Sequence, residues 1–340
     1  MVLLCLVCAS LSAKEDPELT KVAEGIYARI VSPDGNAVAN AGVAVLERSV
    51  LVFDAHFTPE AGASLLAAIR SVTPHSVRYI VNSHWHADHT HGNQAFAGAQ
   101  LISSSNARRD MLQNDLPSLN RTVRVAKQQL EKLHQAVSKE SDAAERQKMR
   151  EQIKAREEYL QTVTRLNITV PVITVDENTV IREGKQEARI LFLGAGHTDG
   201  DIVLFFPAQK VVFAGDLFFN NAIPNVQDAS ILEWMKTLDG LLKLDAATFV
   251  PGHGPIGSKK DVQAFLHYLE ELKSLVSPAV ERGDSLEQAT RDLLLPAKYS
   301  AYQFQNFFPS NVQKMYTELK AQQVGSSPAI AAPKAEQRRP

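Results

Sequence analysis

Residues 82–93 read Asn-Ser-His-Trp-His-Ala-Asp-His-Thr-His-Gly-Asn. Four of the chain's ten histidines, His84, His86, His89 and His91, fall within eight residues here, with Asp88 among them. A solvated surface does not require such a density, and a packed core accepts polar rings only when each finds a partner. His84 and His86 stand two apart behind an apolar run, so on extended backbone both side chains point the same way. Asp88 and His89 follow where the chain turns. Imidazole nitrogen and carboxylate oxygen together suit a borderline divalent cation such as zinc. A lone histidine is commonly structural; four with an aspartate at this spacing point to a metal.

The run before the cluster, 77–81, reads as a strand. Upstream, 25–31, 42–47 and 50–54 are rich in Val, Ile and Leu, are separated by turn residues, and also read as strands. Residues 59–71 carry Leu65, Leu66 and Ile69 at helical spacing. From about 106 to 166 the character changes: Lys, Arg, Glu and Gln dominate and glycine is absent. Val123, Leu130, Leu133 and Val137 make an apolar stripe there, so two long helices are expected, broken near 138–142. Such an inserted hairpin is either a solvated excursion, the ordinary state of a charged helical face, or a lid or docking arm over a site. Beyond Thr169, 188–193, 202–206, 211–214 and 248–250 read as strands, and 230–242 and 259–275 as helices. The order is strand-rich, helix, strand-rich, helix, which fits an α/β fold, with two similar αβ halves as one way to build it.

Three further polar residues stand where strands end. Gly194-Ala195-Gly196-His197-Thr198 follows the run 190–193, Ala214-Gly215-Asp216 follows 211–213, and Pro251-Gly252-His253-Gly254 follows 248–250. Glycine flanks each of them and permits tight turns and close backbone approach. Residues at strand ends are held by a rigid sheet, which suits ligands and catalytic groups.

On these residues the chain resembles the metallo-β-lactamase superfamily over roughly 22–275. The His-x-His-x-Asp-His motif is residues 84–89, and the family's later Gly-His-Thr, Gly-Asp and Gly-His-Gly elements match His197, Asp216 and His253 in order. The resemblance implies an αββα four-layer sandwich over 22–322, here with a helical hairpin inserted at 106–166. It implies two Zn2+ per chain: His84, His86 and His197 on the first, Asp88, His89 and His253 on the second, and Asp216 between them. Two ions so held would lower the pKa of a bridging water toward ~7 and make hydroxide available to attack a carbonyl. Asp88 would position the nucleophile or receive its proton. Several class B β-lactamases carry cysteine where this chain has Asp216, whereas glyoxalase II and thioesterase-like members carry aspartate. The implied activity is therefore hydrolysis of a small-molecule ester, thioester or amide-type bond, with a β-lactam among the candidates. Two other classes stay open: an iron-dependent, sulfur dioxygenase-like oxidoreductase, which metal analysis would reveal, and a non-catalytic accessory protein on the same fold.

Several residues around the motif invite secondary roles. Asp54 ends an apolar run, either to orient a ligand imidazole or as a turn carboxylate. His91 reads as structural or as support for the ligands, and Thr198 as a hydrogen-bonding neighbour of His197. Asn220 and Asn221 follow Asp216 and read as substrate contacts or as turn formers. Trp85 reads as packing, and His56 receives no role.

Composition bounds the rest. Of 340 residues, 44% are hydrophobic and 22% charged, enough for a sizeable core. The formal net charge of −2 offers no basic face for nucleic acid. Both cysteines, Cys5 and Cys8, lie in an apolar leader that is too short to span a bilayer and lacks a basic start. Residues 1–13 therefore read as a signal peptide, truncated if real, which implies a periplasmic or secreted protein; an inert leader implies a cytoplasmic one. Residues 323–340 are rich in Ala, Pro, Ser and charge and are expected to be disordered.

Overall fold

The structure is a computed structural model that describes residues 18–33 and 35–323. The expected leader lies outside the described residues, as does the expected disordered tail except Gln323, which closes the last helix. The chain opens with β1 (Thr20–Ala23) and β2 (Ile26–Arg29), a hairpin that turns at Gly25, where φ is +70°. The run expected as one strand over 25–31 is thus the second arm of this hairpin. β3 (Ala41–Val45) and β4 (Val50–Phe53) extend the antiparallel order. α1 (Pro59–Val72) then crosses over to β5 (Val77–Val81), which lies parallel to β4. Thr58 caps α1 by accepting the Ala61 N–H at 3.1 Å, and Pro59 sits in the first turn, where its missing N–H costs nothing.

The histidine-rich stretch forms the short helix α2 (Ala87–Thr90) and a 3-10 turn, and the chain re-enters the sheet as β6 (Gln100–Ser103). α3 (Ser105–Asp110), a π-helical turn (Met111–Asp115) and α4 (Leu116–Val137) make one helical run, and α5 (Ala143–Arg165) packs along α4. The two-residue β7 (Ile173–Thr174) completes a seven-stranded sheet in sequence order. The second sheet has five strands in the order β12-β11-β10-β9-β8. They are β8 (Thr179–Glu183), β9 (Gln186–Leu191), β10 (Val203–Phe206), β11 (Val211–Phe219) and, after α6 (Ile231–Leu242), β12 (Thr248–His253). α7 (Lys259–Arg282), α8 (Leu286–Asp292) and α9 (Phe308–Gln323) follow.

Alternation along the strands builds three cores between four layers. In β4, Val50 and Val52 face α1 and pack with Leu65 and Ile69, while Leu51 and Phe53 face the other sheet. In β10, Leu204 and Phe206 join that central core, and Val203 and Phe205 turn outward to meet Trp234 of α6, Phe265 and Leu269 of α7, and Met315 of α9. The layers run α1, seven-stranded sheet, five-stranded sheet, helices α6, α7 and α9: an αββα sandwich. The sheets differ in strand number, so the two halves are less alike than the sequence suggested. β11 and β12 also run farther than the expected 211–214 and 248–250. Asp216 and His253 stand inside these strands, where bulges break the β11–β12 register between Phe213 and Gly215 and between Gly215 and Phe219. Among the described residues no helix is long and apolar enough to cross a membrane.

Candidate metal centre

Parallel pairing brings the chemistry to one edge. Because β4 and β5 run in the same direction, Asp54 and the 82–86 loop leave the first sheet side by side, and the Asp54 N–H donates to Val81 O at 3.0 Å. β11 and β12 do the same for Asp216 and His253 in the second sheet. The His197 loop spans the gap between β9 and β10, and the Ile202 N–H donates to Ser83 O at 2.8 Å, tying the loops of the two sheets together. His86 sits at the N-cap of α2, and the first turns of that helix present Asp88 and His89. Gly252 passes so close to Asp216 that a Cβ there would fall on the Asp216 carboxylate, so only glycine fits.

The side chains converge as two groups, each with ligand atoms within 4.8 Å of one another: His84, His86, His197 and Asp216 in one, Asp88, His89 and His253 in the other. His86 Nδ1 lies 2.8 Å from His197 Nε2. Asp216 touches both groups, with Oδ2 3.2 Å from His197 Nε2 and 3.4 Å from His253 Nε2, and Oδ1 3.1 Å from His89 Nε2. Asp88 Oδ2 lies 3.3 Å from His253 Nε2 and 3.8 Å from His89 Nε2. His84 Nε2 is buried with no hydrogen-bond partner among the described residues, and His89 Nε2 and Asp216 Oδ1, though 3.1 Å apart, make no aligned hydrogen bond. Three buried polar atoms left in this way are costly unless something else is bound between them. A pair of divalent cations fits the donor set of five imidazoles and two carboxylates.

The surrounding hydrogen bonds fix which ring nitrogen faces inward. Asp54 accepts from Ser83 N at 2.7 Å, from Ser83 Oγ at 2.7 Å and from His89 Nδ1 at 2.8 Å. The Ser83 hydroxyl hydrogen is committed to Asp54, so His84 Nδ1, 2.9 Å from Ser83 Oγ, is the donor in that contact. One buried carboxylate thereby sets the tautomer of two histidines and leaves both Nε2 lone pairs directed inward. Asp54 holds φ at +61°, a left-handed conformation tolerated where the surroundings dictate it. His86 is set the opposite way: its Nε2 donates to Asp228 Oδ2 at 2.9 Å, which leaves Nδ1 inward.

Charge is shared among these groups. Burial works against the charged form of Asp216, but His253, His89 and His197 hold its carboxyl well below the usual range. For Asp88, burial is likewise outweighed by His89 and His253, and the carboxyl stays ionised. Burial disfavours protonated His253, yet Asp216 and Asp88 push it up to about 9, and Asp216, Asp54 and Asp88 raise His89 in the same way. Burial lowers His84, and takes His197 down to about 3. Without a cation, then, protons on two histidines balance the carboxylates, and cation binding displaces them.

All seven residues singled out from the motifs meet here. The neighbours fare differently. Asp54 orients a ligand-type imidazole, one of its two expected roles. His91 turns away, 3.0 Å from Asp115 Oδ2 and stacked on Phe57. Thr198 bonds Asp201 instead of His197, through its hydroxyl at 2.6 Å and its N–H at 2.9 Å. Asn220 donates to Pro255 O, and Asn221 adopts φ +55° with its carbonyl accepting from Gln303, so both serve as turn residues in the fold. His56 is buried and donates from Nδ1 to Ala39 O at 2.7 Å. Trp85, expected to pack, is partly exposed with its ring 4.6 Å from that of His86. Asp228, Asp201 and Asp115 were missed; Asp228 and Asp115 have no motif around them, whereas Asp201 stands three residues after Thr198 of the Gly-His-Thr element. Ser83 lay inside the quoted stretch, beside His84.

Comparison with known proteins agrees with this geometry. The family model for the metallo-beta-lactamase superfamily matches residues 34–104 and 126–253. A metallo-beta-lactamase type 2 from Bacteroides fragilis is 32% identical over 111 residues, which is 31% of this chain and 41% of that protein. The chain thus spans about two fifths of the length of the curated relatives it matches. A solved metallo-beta-lactamase from Pontibacter korlensis superposes with a TM-score of 0.55 at 20% identity, covering 74% of this chain and 98% of that one. The metallo-beta-lactamase FIM-1 from Pseudomonas aeruginosa, solved in its mono-zinc form, superposes with a TM-score of 0.54 at 15% identity, covering 75% and 96%. With a family match over more than half its length and the ligand-type residues gathered at one sandwich edge, the chain belongs to the metallo-beta-lactamase superfamily.

Proposed function

We propose that the protein is a zinc-dependent hydrolase of a small-molecule ester, thioester or amide-type carbonyl, a β-lactam among them, with two zinc ions per chain. His84, His86 and His197 hold the first ion, Asp88, His89 and His253 the second, and Asp216 both. The observation that carries this reading is the set of buried atoms without an aligned hydrogen bond, His84 Nε2, His89 Nε2 and Asp216 Oδ1, gathered at the junction of the sheets. When bound, two such ions supply Lewis acidity and make water a ready nucleophile near neutral pH. The zinc in the FIM-1 structure supports the choice of metal.

The chain's own residues do the rest. Asp54 and Asp228 hold three imidazoles in the tautomer that accepts a cation. Asp88 is 24% exposed, against 15% for His86 and 7% or less for His89, His197, His253 and Asp216, so the centre opens on its side. Its Oδ2 faces His253 Nε2 at 3.3 Å and would share the second ion with it, which would leave Oδ1 to take the proton of an attacking water and pass it to the leaving group. Water adds to the carbonyl carbon and the bond to the leaving group breaks, giving an acid and a protonated leaving group, which separate from an open-chain substrate and stay joined in one ring-opened product from a lactam or lactone. An iron oxygenase of the mononuclear kind would not account for the second group of donors.

The test is elemental analysis of protein purified without added metal, followed by a panel of lactam, lactone, thioester and phosphodiester substrates. About two zinc ions per chain are expected, with turnover in the carbonyl panels. Asp216→Ala should lose turnover by at least ~100-fold while circular dichroism is retained. One iron per chain with oxygen uptake, or near-normal kinetics in Asp216→Ala, would overturn the reading.

A further inference from the structure

The His253 ring is walled by two phenylalanines of different origin. Phe219, buried in β11, stacks on its face at 5.2 Å and belongs to the core. Phe304 meets it edge to face at 5.5 Å, is partly exposed, and comes from the segment between α8 and α9, beyond the residues that match the family model. Phe304 holds φ at +57°. A bulky side chain avoids that region, and such strain gathers at ligand clamps. The backbone before it is pinned: the Gln303 N–H donates to Asn221 O at 2.9 Å, and Gln303 O accepts from Ile223 N at 2.9 Å, forming a short parallel bridge with the loop after β11. The Gln305 side chain ties the same turn to Ser300 O and Tyr302 O. In the other group of ligand-type residues, Trp85 lies against His86 and is also partly exposed. Each group of ligand-type residues thus has an accessible aromatic ring beside it.

We infer that Phe304 is a specificity-determining residue: its ring packs against an apolar or aromatic group that the substrate carries next to the reacting carbonyl. An aromatic contact of this kind is worth roughly a two- to twelvefold preference beyond area burial. This rests on the zinc-hydrolase reading for its substrate but not for its test. Phe304 also borders the core formed by α7 and α9, so a packing role is the competing explanation.

The experiment measures binding of acetate and phenylacetate to the zinc-loaded protein by calorimetry, with melting temperature and zinc content read on the same samples. The native protein should bind phenylacetate roughly tenfold more tightly than acetate. Phe304→Gly, which accepts φ +57° without strain, should bring that ratio close to one, and Phe304→Tyr should keep it. An unchanged ratio in a folded, zinc-loaded Phe304→Gly protein, or no preference in the native protein, overturns the inference, whatever the melting temperature does. Absence of ester, thioester and lactam turnover with an intact phenylacetate preference would overturn the hydrolase reading and leave this one standing.

Discussion

At the scale of single residues, the groups the motifs name are easier to find than the groups that aim them. Asp228 is the clearest case: nothing in the loop before α6 marks it, yet it fixes His86 at 2.9 Å. Losing a partner of this kind costs 10–100-fold in metal affinity, so Asp228→Ala should weaken zinc binding by about that factor. Asp228→Asn, whose carbonyl still accepts from His86 Nε2, should recover most of it. A competitive chelator titration decides, and equal affinity in all three proteins would remove the positioning role. Asp201 makes a second residue-level prediction. Burial pushes its carboxyl up to about 7, although Thr198 donates to both oxygens. Because this pKa lies above the unfolded value of about 3.9, the protonated side chain contributes stability that is full below pH 4 and lost as pH rises through 7. In metal-free protein, the unfolding free energy of the native chain minus that of Asp201→Asn should fall between pH 4 and 8, by on the order of a few kcal/mol. A difference that does not vary with pH would mean that Asp201 is ionised throughout. The sequence could not announce this, because burial is a property of the layers that close over the residue.

At the scale of elements, periodicity located what local packing governs and missed what the partner strand governs. α1, α6 and the break at 138–142 follow from capping residues and apolar spacing that the chain carries in itself. Thr58 and Asp142, for example, each cap their helix with a side-chain oxygen. The extensions of β11 through Asp216 and of β12 through His253 do not, because glycine and a charged residue normally end a strand. Here the two strands shelter each other, and bulges absorb the mismatch. Two-residue β7 likewise exists only because β6 offers it an edge. The helical arm divides into a root and a shaft. At the root, Ser104 Oγ donates to Gly200 O at 2.6 Å, Asn106 donates to Asp199 O and Arg109 pairs with Asp199 at 2.7 Å, all on the loop after His197. Asp115, in the π-helical turn, holds His91 two residues beyond His89. On the shaft, Ala126 and Ile153 are the buried residues of α4 and α5. Replacing residues 131–152 with a short Gly-Ser turn should therefore leave zinc content and small-substrate turnover within about twofold of the full chain, since surface changes away from buried features cost little. A change in substrate range on trimming would mark the shaft as a lid.

At the scale of the whole molecule, the proposed metal centre is one of the places where the two sheets are joined by polar groups; another is Glu183 of β8, which accepts from Ser49 Oγ at 2.8 Å. His84, His86, Asp88 and His89 follow the first sheet, and His197, Asp216 and His253 belong to the second. Between these polar contacts the sheets meet through an apolar core in which Phe53 stacks on Phe213 at 5.9 Å. That core needs no cation, so the sandwich should persist without one. The edge is different: stripped of cations it keeps two ionised carboxylates beside protonated His89 and His253, with His84 Nε2 buried and unpartnered. Zinc binds these seven groups only when both sheets are in register, so its binding free energy adds to folding. At free zinc 100 times the dissociation constant each ion adds about 2.7 kcal/mol, and two ions should raise the melting temperature by on the order of 10 °C. A strong chelator should reverse that rise while far-ultraviolet circular dichroism at 25 °C stays native. The rise should shrink as pH falls below about 9, because zinc must then displace a proton from His253. A melting temperature indifferent to both zinc and chelator would mean that these seven side chains do not bind the ion together.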